Sequence, residues 1–255
     1  MSLARVKSSD HKAHKSAGED TGLVSVSEPE IILVQAGRSS TRVRVATQDG
    51  LRIHEIASGA TLMVACSHAS LQCSGSDFAI IHMSVNPLCK VLAFLDGVDE
   101  IRNRGRPGSS MAVFPFDRFC LGRNKGLEYW FIHGILQEND QAESLAAFLR
   151  RLESYWLVRF LLSESSRLKS VGALGDEYGL SYSHFRRVCK IVLGSSVKSE
   201  LKVWRAARSL LEAISGAGTM TEVAIRNGYA SSSHFSTEIK KLFGRSPRAM
   251  TAMKN

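Results

Sequence analysis

Two stretches of this 255-residue chain repeat one scaffold about fifty residues apart. A repeat of that kind restricts the fold more than any other feature here, because each copy must be one supersecondary unit. The first copy reads LGDEYGLSYSHFRRVCKIVLG (174–194) and the second VAIRNGYASSSHFSTEIKKLFG (223–244). In each, a small residue (Gly175, Ala224) lies four before a turn glycine (Gly179, Gly228), and an apolar residue (Leu180, Tyr229) follows. Two helices crossing steeply through a tight turn need a residue at positive φ and a small side chain where the backbones approach. The predicted order is therefore helix, glycine turn, helix, twice. Ser181 and Ser231 are placed to cap the second helix of each pair. Phe185, Val188, Cys189 and Val192 then recur at helical spacing, as do Phe235, Ile239, Leu242 and Phe243, and both sets are expected in the core.

At 100° per residue, with Phe185 inward, Ser183, Arg187 and Lys190 fall near the centre of the outward face and Arg186 on its flank. The corresponding face of the second copy presents Ser233, Ser236, Thr237, Lys240 and Lys241. Charge agrees with this placement. Residues 1–150 hold 16 Lys+Arg against 16 Asp+Glu, whereas 151–255 hold 17 against 8, so the whole net charge of +9 sits in the C-terminal part. Positive charge concentrated on one compact region is the footprint of a polyanion binder.

The rest of the chain reads differently. Residues 1–21 are polar and read as a disordered tail, with a basic arm on DNA as the alternative. From about 22 to 133, short β-rich runs (IILVQA, TRVRVAT, ATLMVAC, FAIIHMSV, LEYWFIHGIL) are separated by Gly, Ser, Asp and Asn, which predicts an antiparallel sheet or small barrel. Within them VNPLCKVLAFLDGVDEI is a buried strand or a short helix, and RNRGRPGSS (102–110) is an exposed loop. From about 139 a long amphipathic helix is expected, with Leu145, Phe148, Leu149, Leu152, Trp156, Phe160 and Leu161 on one face.

The five cysteines (Cys66, Cys73, Cys89, Cys120, Cys189) are odd in number and widely spaced, with no CxxC pair, and read as reduced cytosolic thiols. Cys66 and Cys73 as a redox switch is the sharper reading, but neither has a basic neighbour in sequence to stabilise a thiolate. His54, His68 and His82 show no HxH or HxxxH spacing, so no metal and no cofactor is expected. No stretch approaches the ~18 apolar residues of a membrane span, and a soluble, cytoplasmic protein is expected.

Position by position, 150–253 resembles the AraC/XylS family of transcription regulators. VAIRNGYASSSHF, the spacing to Phe243-Gly244 and the closing SPRAM (246–250) carry the resemblance. The linker SSVKSELKVWRAARSLLEAI (195–214) follows the family through Trp204, Arg205, Leu210 and Leu211. It departs where the family commonly has an aromatic near Glu200 or Leu201 and an alanine near Ser209. Gly175 also replaces a usual alanine, at a cost of about 1 kcal/mol of helix propensity. Within the family, SYSHFRRVC, KSELKVWR and SSSHFSTEIKKLFGRSPR look most like the activators of bacterial type III secretion operons.

The resemblance implies an α+β chain: a β-rich regulatory, dimerisation or partner-binding domain over 22–138, then an all-α DNA-binding domain over 139–255 with helix-turn-helix units at about 171–193 and 220–243. Its module is seven helices, two units joined by a long central helix. The implied function is a sequence-specific transcription activator of type III secretion or virulence genes, not an enzyme. Its implied partners are double-stranded promoter DNA, RNA polymerase and a secretion chaperone as coactivator, with a homodimer among the allowed assemblies and no membrane. A regulator answering to a small-molecule effector is the alternative. An alkyl-transfer repair enzyme borrowing the module is a third reading, which no cysteine cluster supports. On positions matching the family's base-reading sites, Ser183, Arg186, Arg187, Ser233, Ser236 and Thr237 are expected to touch bases. Tyr182, His184, Lys190, His234, Lys240 and Lys241 are expected at phosphates. For His184 and His234 a structural or capping role competes with that, and for Tyr182 packing on the turn.

Overall fold

A computed structural model of the chain describes residues 12–15, 21–98, 110–117, 125–164 and 169–252. The chain divides after Trp156 into two compact units.

The first unit contains strands β1 (Lys12–Lys15), β2 (Thr21–Val26), β3 (Glu30–Ala36), β4 (Thr41–Thr47), β5 (Gly50–Ile56), β6 (Thr61–Cys66), β7 (Ala69–Ser74), β8 (Phe78–Ser84) and β9 (Met111–Phe116). They pair antiparallel in two sheets, ordered β1-β8-β3-β6-β9 and β2-β7-β4-β5. In TRVRVAT the alternation is clean: Thr41, Val43 and Val45 are buried, Arg42 and Arg44 exposed. That period of two presents one face to the other sheet. Ile32, Val34, Val64 and Ile80 from one sheet and Val43, Val45, Leu71 and Cys73 from the other form one core. Strand β6 is buried on both faces. Part of its cover is helical, because helix α3 (Asp140–Leu149) packs on β6 and β9.

Three expectations change here, and one open alternative is decided. The tail expected to be disordered contributes β1, paired with β8, and the start of β2. The open segment VNPLCKVLAFLDGVDEI forms helix α1 (Asn86–Val98), with Leu88, Cys89, Leu92, Ala93 and Asp96 buried at helical steps. LEYWFIHGIL, expected as a strand, is helix α2 (Gly126–Leu136), since Leu127, Phe131 and Ile135 form an inward stripe every four residues. β-propensity yields to that packing. The long helix expected from 139 is two: α3, capped by Asn139, and α4 (Glu153–Glu164), with Trp156 53% exposed instead of buried. The loop expected at 102–110 lies, apart from Ser110, outside the described residues, as does Cys120.

The unit division falls further along the chain than the boundary at 138/139 expected from the onset of helical periodicity. Helix α3 is counted with the sheets it covers.

The second unit holds the rest of α4 and helices α5 (Val171–Tyr178), α6 (Tyr182–Leu193), α7 (Val197–Ser215), α8 (Met220–Arg226), α9 (Ser232–Phe243) and α10 (Pro247–Thr251). Hydroxyls of Ser170, Ser196, Thr219, Ser231 and Ser246 accept hydrogen bonds from the first-turn amides of α5, α7, α8, α9 and α10. The chain is thus punctuated locally, before tertiary packing acts. Phe160, Tyr178 and Phe185 meet in sequence as tilted ring pairs, centroids 5.0 and 5.8 Å apart, in the core of the first helix pair. Around α7, Ala206, Leu210, Ala213, Val223, Ala224, Tyr229, Phe235 and Ile239 form the core of the second.

Candidate nucleic-acid interface

Both turns follow one hydrogen-bond pattern. At the end of α5, Gly179 takes φ 81°, its N–H donates to Asp176 O (3.1 Å), and Leu180 N–H donates back to Gly175 O (2.9 Å). At the end of α8, Gly228 takes φ 73°, its N–H donates to Ile225 O (3.0 Å), and Tyr229 N–H donates to Ala224 O (2.9 Å). These left-handed glycines close the helices and redirect the chain into α6 and α9. The copies differ in length, for Ser181 caps two positions after Gly179 and Ser231 three after Gly228. In the shorter turn a Cβ on Gly175 would lie 3.2 Å from Leu180 O and 3.3 Å from Phe185 Cβ. The glycine that departs from the family pattern therefore fits a tighter crossing. Ser231 Oγ accepts the His234 N–H at 3.1 Å, whereas Ser181 occupies its N-cap with no side-chain bond.

Along α6, Phe185, Cys189, Val192 and Leu193 are buried, while Tyr182, Ser183, His184, Arg186, Arg187 and Lys190 are exposed. Val188, expected in the core, is half-buried. The Arg186 guanidinium lies 5.3 Å above the Tyr182 ring, which braces both on one flank. Tyr182, Ser183, Arg186, Arg187 and Lys190 line one open cleft with Ser196 and Lys198 at the start of α7. Lys198 lies outside the set of residues expected from sequence. Its signal was a lysine two positions after a serine that can cap, where side chain and helix terminus both face an anion.

Helix α9 exposes Ser233, His234, Thr237, Lys240 and Lys241, with Ser236 half-buried. His234 meets Tyr229 edge-on, centroids 5.6 Å apart, a packing role compatible with its exposure. Leu242 and Phe243 do not join the core as expected, remaining 36% and 37% exposed. Glu238, not among the residues expected at the site, is buried on the inner side of α9. Its carboxylate accepts hydrogen bonds from Tyr229 Oη at 3.0 Å and an Arg205 guanidinium nitrogen at 3.2 Å, and pairs with Lys202 Nζ at 3.1 Å. Burial alone would raise the Glu238 pKa, but those bonds and the Arg205 charge outweigh it and hold the carboxyl below its ordinary value. Ser209, where an alanine was usual, is fully buried and turns its hydroxyl back to Arg205 O at 2.6 Å.

The remaining candidates lie elsewhere. Cys66, Cys73, Cys89 and Cys189 are buried, and burial pushes their thiols up to about 12, 11, 12 and 12, away from thiolate reactivity. His82 Nδ1 pairs with Glu30 at 2.8 Å. Among the described residues no three His, Cys, Asp or Glu side chains converge as a metal site, and no helix is long and apolar enough to cross a membrane.

Residues 174–253 match a family model described as a helix-turn-helix domain. Over 187 residues, 73% of this chain and 87% of the relative, the chain is 38% identical to the invasion protein InvF of Salmonella typhimurium. Over 127 residues, 49% of this chain and 60% of the relative, it is 37% identical to the transcriptional regulator MxiE of Shigella flexneri. Among solved structures, ToxT from Vibrio cholerae aligns over 96% of this chain and 98% of its own, with a TM-score of 0.40 and 13% identity.

Proposed function

Because the chain belongs to the AraC-type family of helix-turn-helix transcription regulators, we propose that it activates type III secretion or virulence genes by reading promoter DNA with α6 and α9. The carrying observation is the face of α6, where Ser183, Arg186, Arg187 and Lys190 stand exposed together on a helix set by the Gly179 turn. Arginine grips guanine O6 and N7 with two hydrogen bonds, whereas serine and threonine make single, less discriminating ones. Arg186 and Arg187 with Ser183 therefore dominate specificity, and Ser233, Ser236 and Thr237 on α9 add to it. Tyr182, His184, Lys190, His234, Lys240 and Lys241 meet phosphates, joined by Lys198.

The similarity to an invasion protein and to a transcriptional regulator favours virulence genes as targets. We read the activating signal as a protein coactivator of the secretion-chaperone class, with RNA polymerase recruited at the promoter. A small effector would need a closed apolar pocket. Ile32, Val34, Val43, Val64, Leu71 and Ile80 pack as one core between the two sheets, and stabilisation of the chain by a metabolite but not by a chaperone would favour the small effector.

A pull-down from native cytosol, then footprinting with and without the recovered partner, tests the reading. Two protected major-groove segments about 34 Å apart on one face of the duplex are expected when the partner is present. Tight footprinting by the lone chain would refute the coactivator, and protection without sequence preference would refute the activator.

A further inference from the structure

The two reading helices are seated on α7 by different physics. On α6 the residue three after the core phenylalanine is Val188, whereas on α9 it is Glu238. Apolar contact is non-directional and tolerates a helix turning about its axis. A carboxylate held from three directions does not, since each hydrogen bond loses strength steeply off its line. Lys202 and Arg205 lie three apart on α7, so both reach the same carboxylate. The third donor, Tyr229, opens the turn before α9, and the Arg205 guanidinium lies 4.6 Å over its ring, so turn, spacer helix and reading helix meet at one point.

We infer that Glu238 is a positioning residue for DNA reading: it sets the rotation of α9 against α7 and so aims Ser233 and Thr237 at the base edges without touching DNA. Buried ion pairs contribute little net stability, and fixing register is their best-attested use. The first helix-turn-helix pair has the half-buried Val188 at that position, an apolar side chain that fixes no such direction. This inference rests on the reading of α9 as a groove helix.

The test uses the full chain, with the partner recovered in the pull-down, on a duplex that the wild type selects from a random-sequence library. Arg187→Ala first identifies the half-site read by α6. Glu238→Gln nearly keeps shape and loses the charge. It is expected to leave protection of the α6 half-site intact and to weaken the α9 half-site about tenfold, with footprinting carried out below the variant's own melting temperature. Lys202→Met, which leaves Arg205 and Tyr229 on the carboxylate, is expected to act in the same direction by a smaller factor, and it decides the matter if Glu238→Gln does not fold. Equal weakening of both half-sites, or an unchanged α9 half-site, overturns the inference. A wild-type chain that selects no sequence overturns the DNA-reading premise and the inference with it.

Discussion

Arg150 donates two hydrogen bonds to the Asp96 carboxylate, at 2.9 and 2.8 Å, joining the end of α3 to the last turns of α1. Tyr155 Oη at the start of α4 donates a third at 2.7 Å, so one carboxylate, only 1% exposed, ties α1, α3 and the first turn of α4 together within the first unit. Removing one partner of such a pair leaves a buried charge uncompensated, which costs roughly 3–5 kcal/mol. Asp96→Ala is expected to lower the unfolding free energy by that order. Arg150→Lys is expected to recover little of an Arg150→Ala loss, because an ammonium cannot reproduce the two-pronged contact. Equilibrium urea unfolding checks both.

Two glycines of α5 should respond oppositely to alanine. A Cβ at Gly172 meets only ordinary contacts, 3.7 Å from Ser170 Oγ and 4.0 Å from a Tyr182 ring carbon. Gly172→Ala is expected to stabilise by about 0.5–1 kcal/mol through helix propensity. At Gly175 the same methyl presses a backbone oxygen at 3.2 Å, so Gly175→Ala is expected to forfeit that gain and lower the melting temperature. Calorimetry of the two variants side by side separates the effects.

The two serine caps are likewise unequal. Ser231→Ala removes a hydroxyl that accepts the His234 N–H and is expected to cost about 1 kcal/mol. Ser181→Ala removes no such bond and is expected to cost a few tenths at most. Thermal melts of both variants give the comparison.

Acid should weaken the first unit through His54. Burial first, then the nearby Arg52 charge, holds its pKa below the ordinary 6.5, and its Nε2 is buried without a hydrogen-bond partner. The unfolded chain therefore binds a proton that the folded chain refuses. Stability from this site is full above pH 6.5, declines as pH falls below it, and levels off beneath the folded pKa. Melting temperatures from pH 7.5 to 5 should show that slope, and His54→Gln should flatten it.

Much of the second unit is legible in sequence because its signals are local: a glycine needing positive φ at Gly179 and Gly228, hydroxyl caps, and phenylalanines at helical spacing. The outward set on α6 follows from the same periodicity. What escaped is what local signals do not encode. Helix α2 is apolar and aromatic on most sides, so its composition suits a strand, and only burial of Leu127, Phe131 and Ile135 decides. The break between α3 and α4 interrupts a stripe that reads as continuous. Glu238 looks like one more charge among lysines until Lys202 and Arg205, some thirty residues earlier, are brought beside it. A single acid three after a core phenylalanine was its available trace.

The central claim is that two unequal helix-turn-helix pairs read DNA and that the first pair carries the specificity. It is tested most directly by measuring Arg187→Ala against the selected duplex and against random DNA, with Lys240→Ala as the comparison. Arg187→Ala is expected to lose about 1–3 kcal/mol on the selected duplex, to relax selectivity at one base position, and to change little on random DNA. Lys240→Ala is expected to weaken both DNAs alike and to reduce the salt slope by about 1. Equal losses on selected and random DNA for Arg187→Ala would contradict the account.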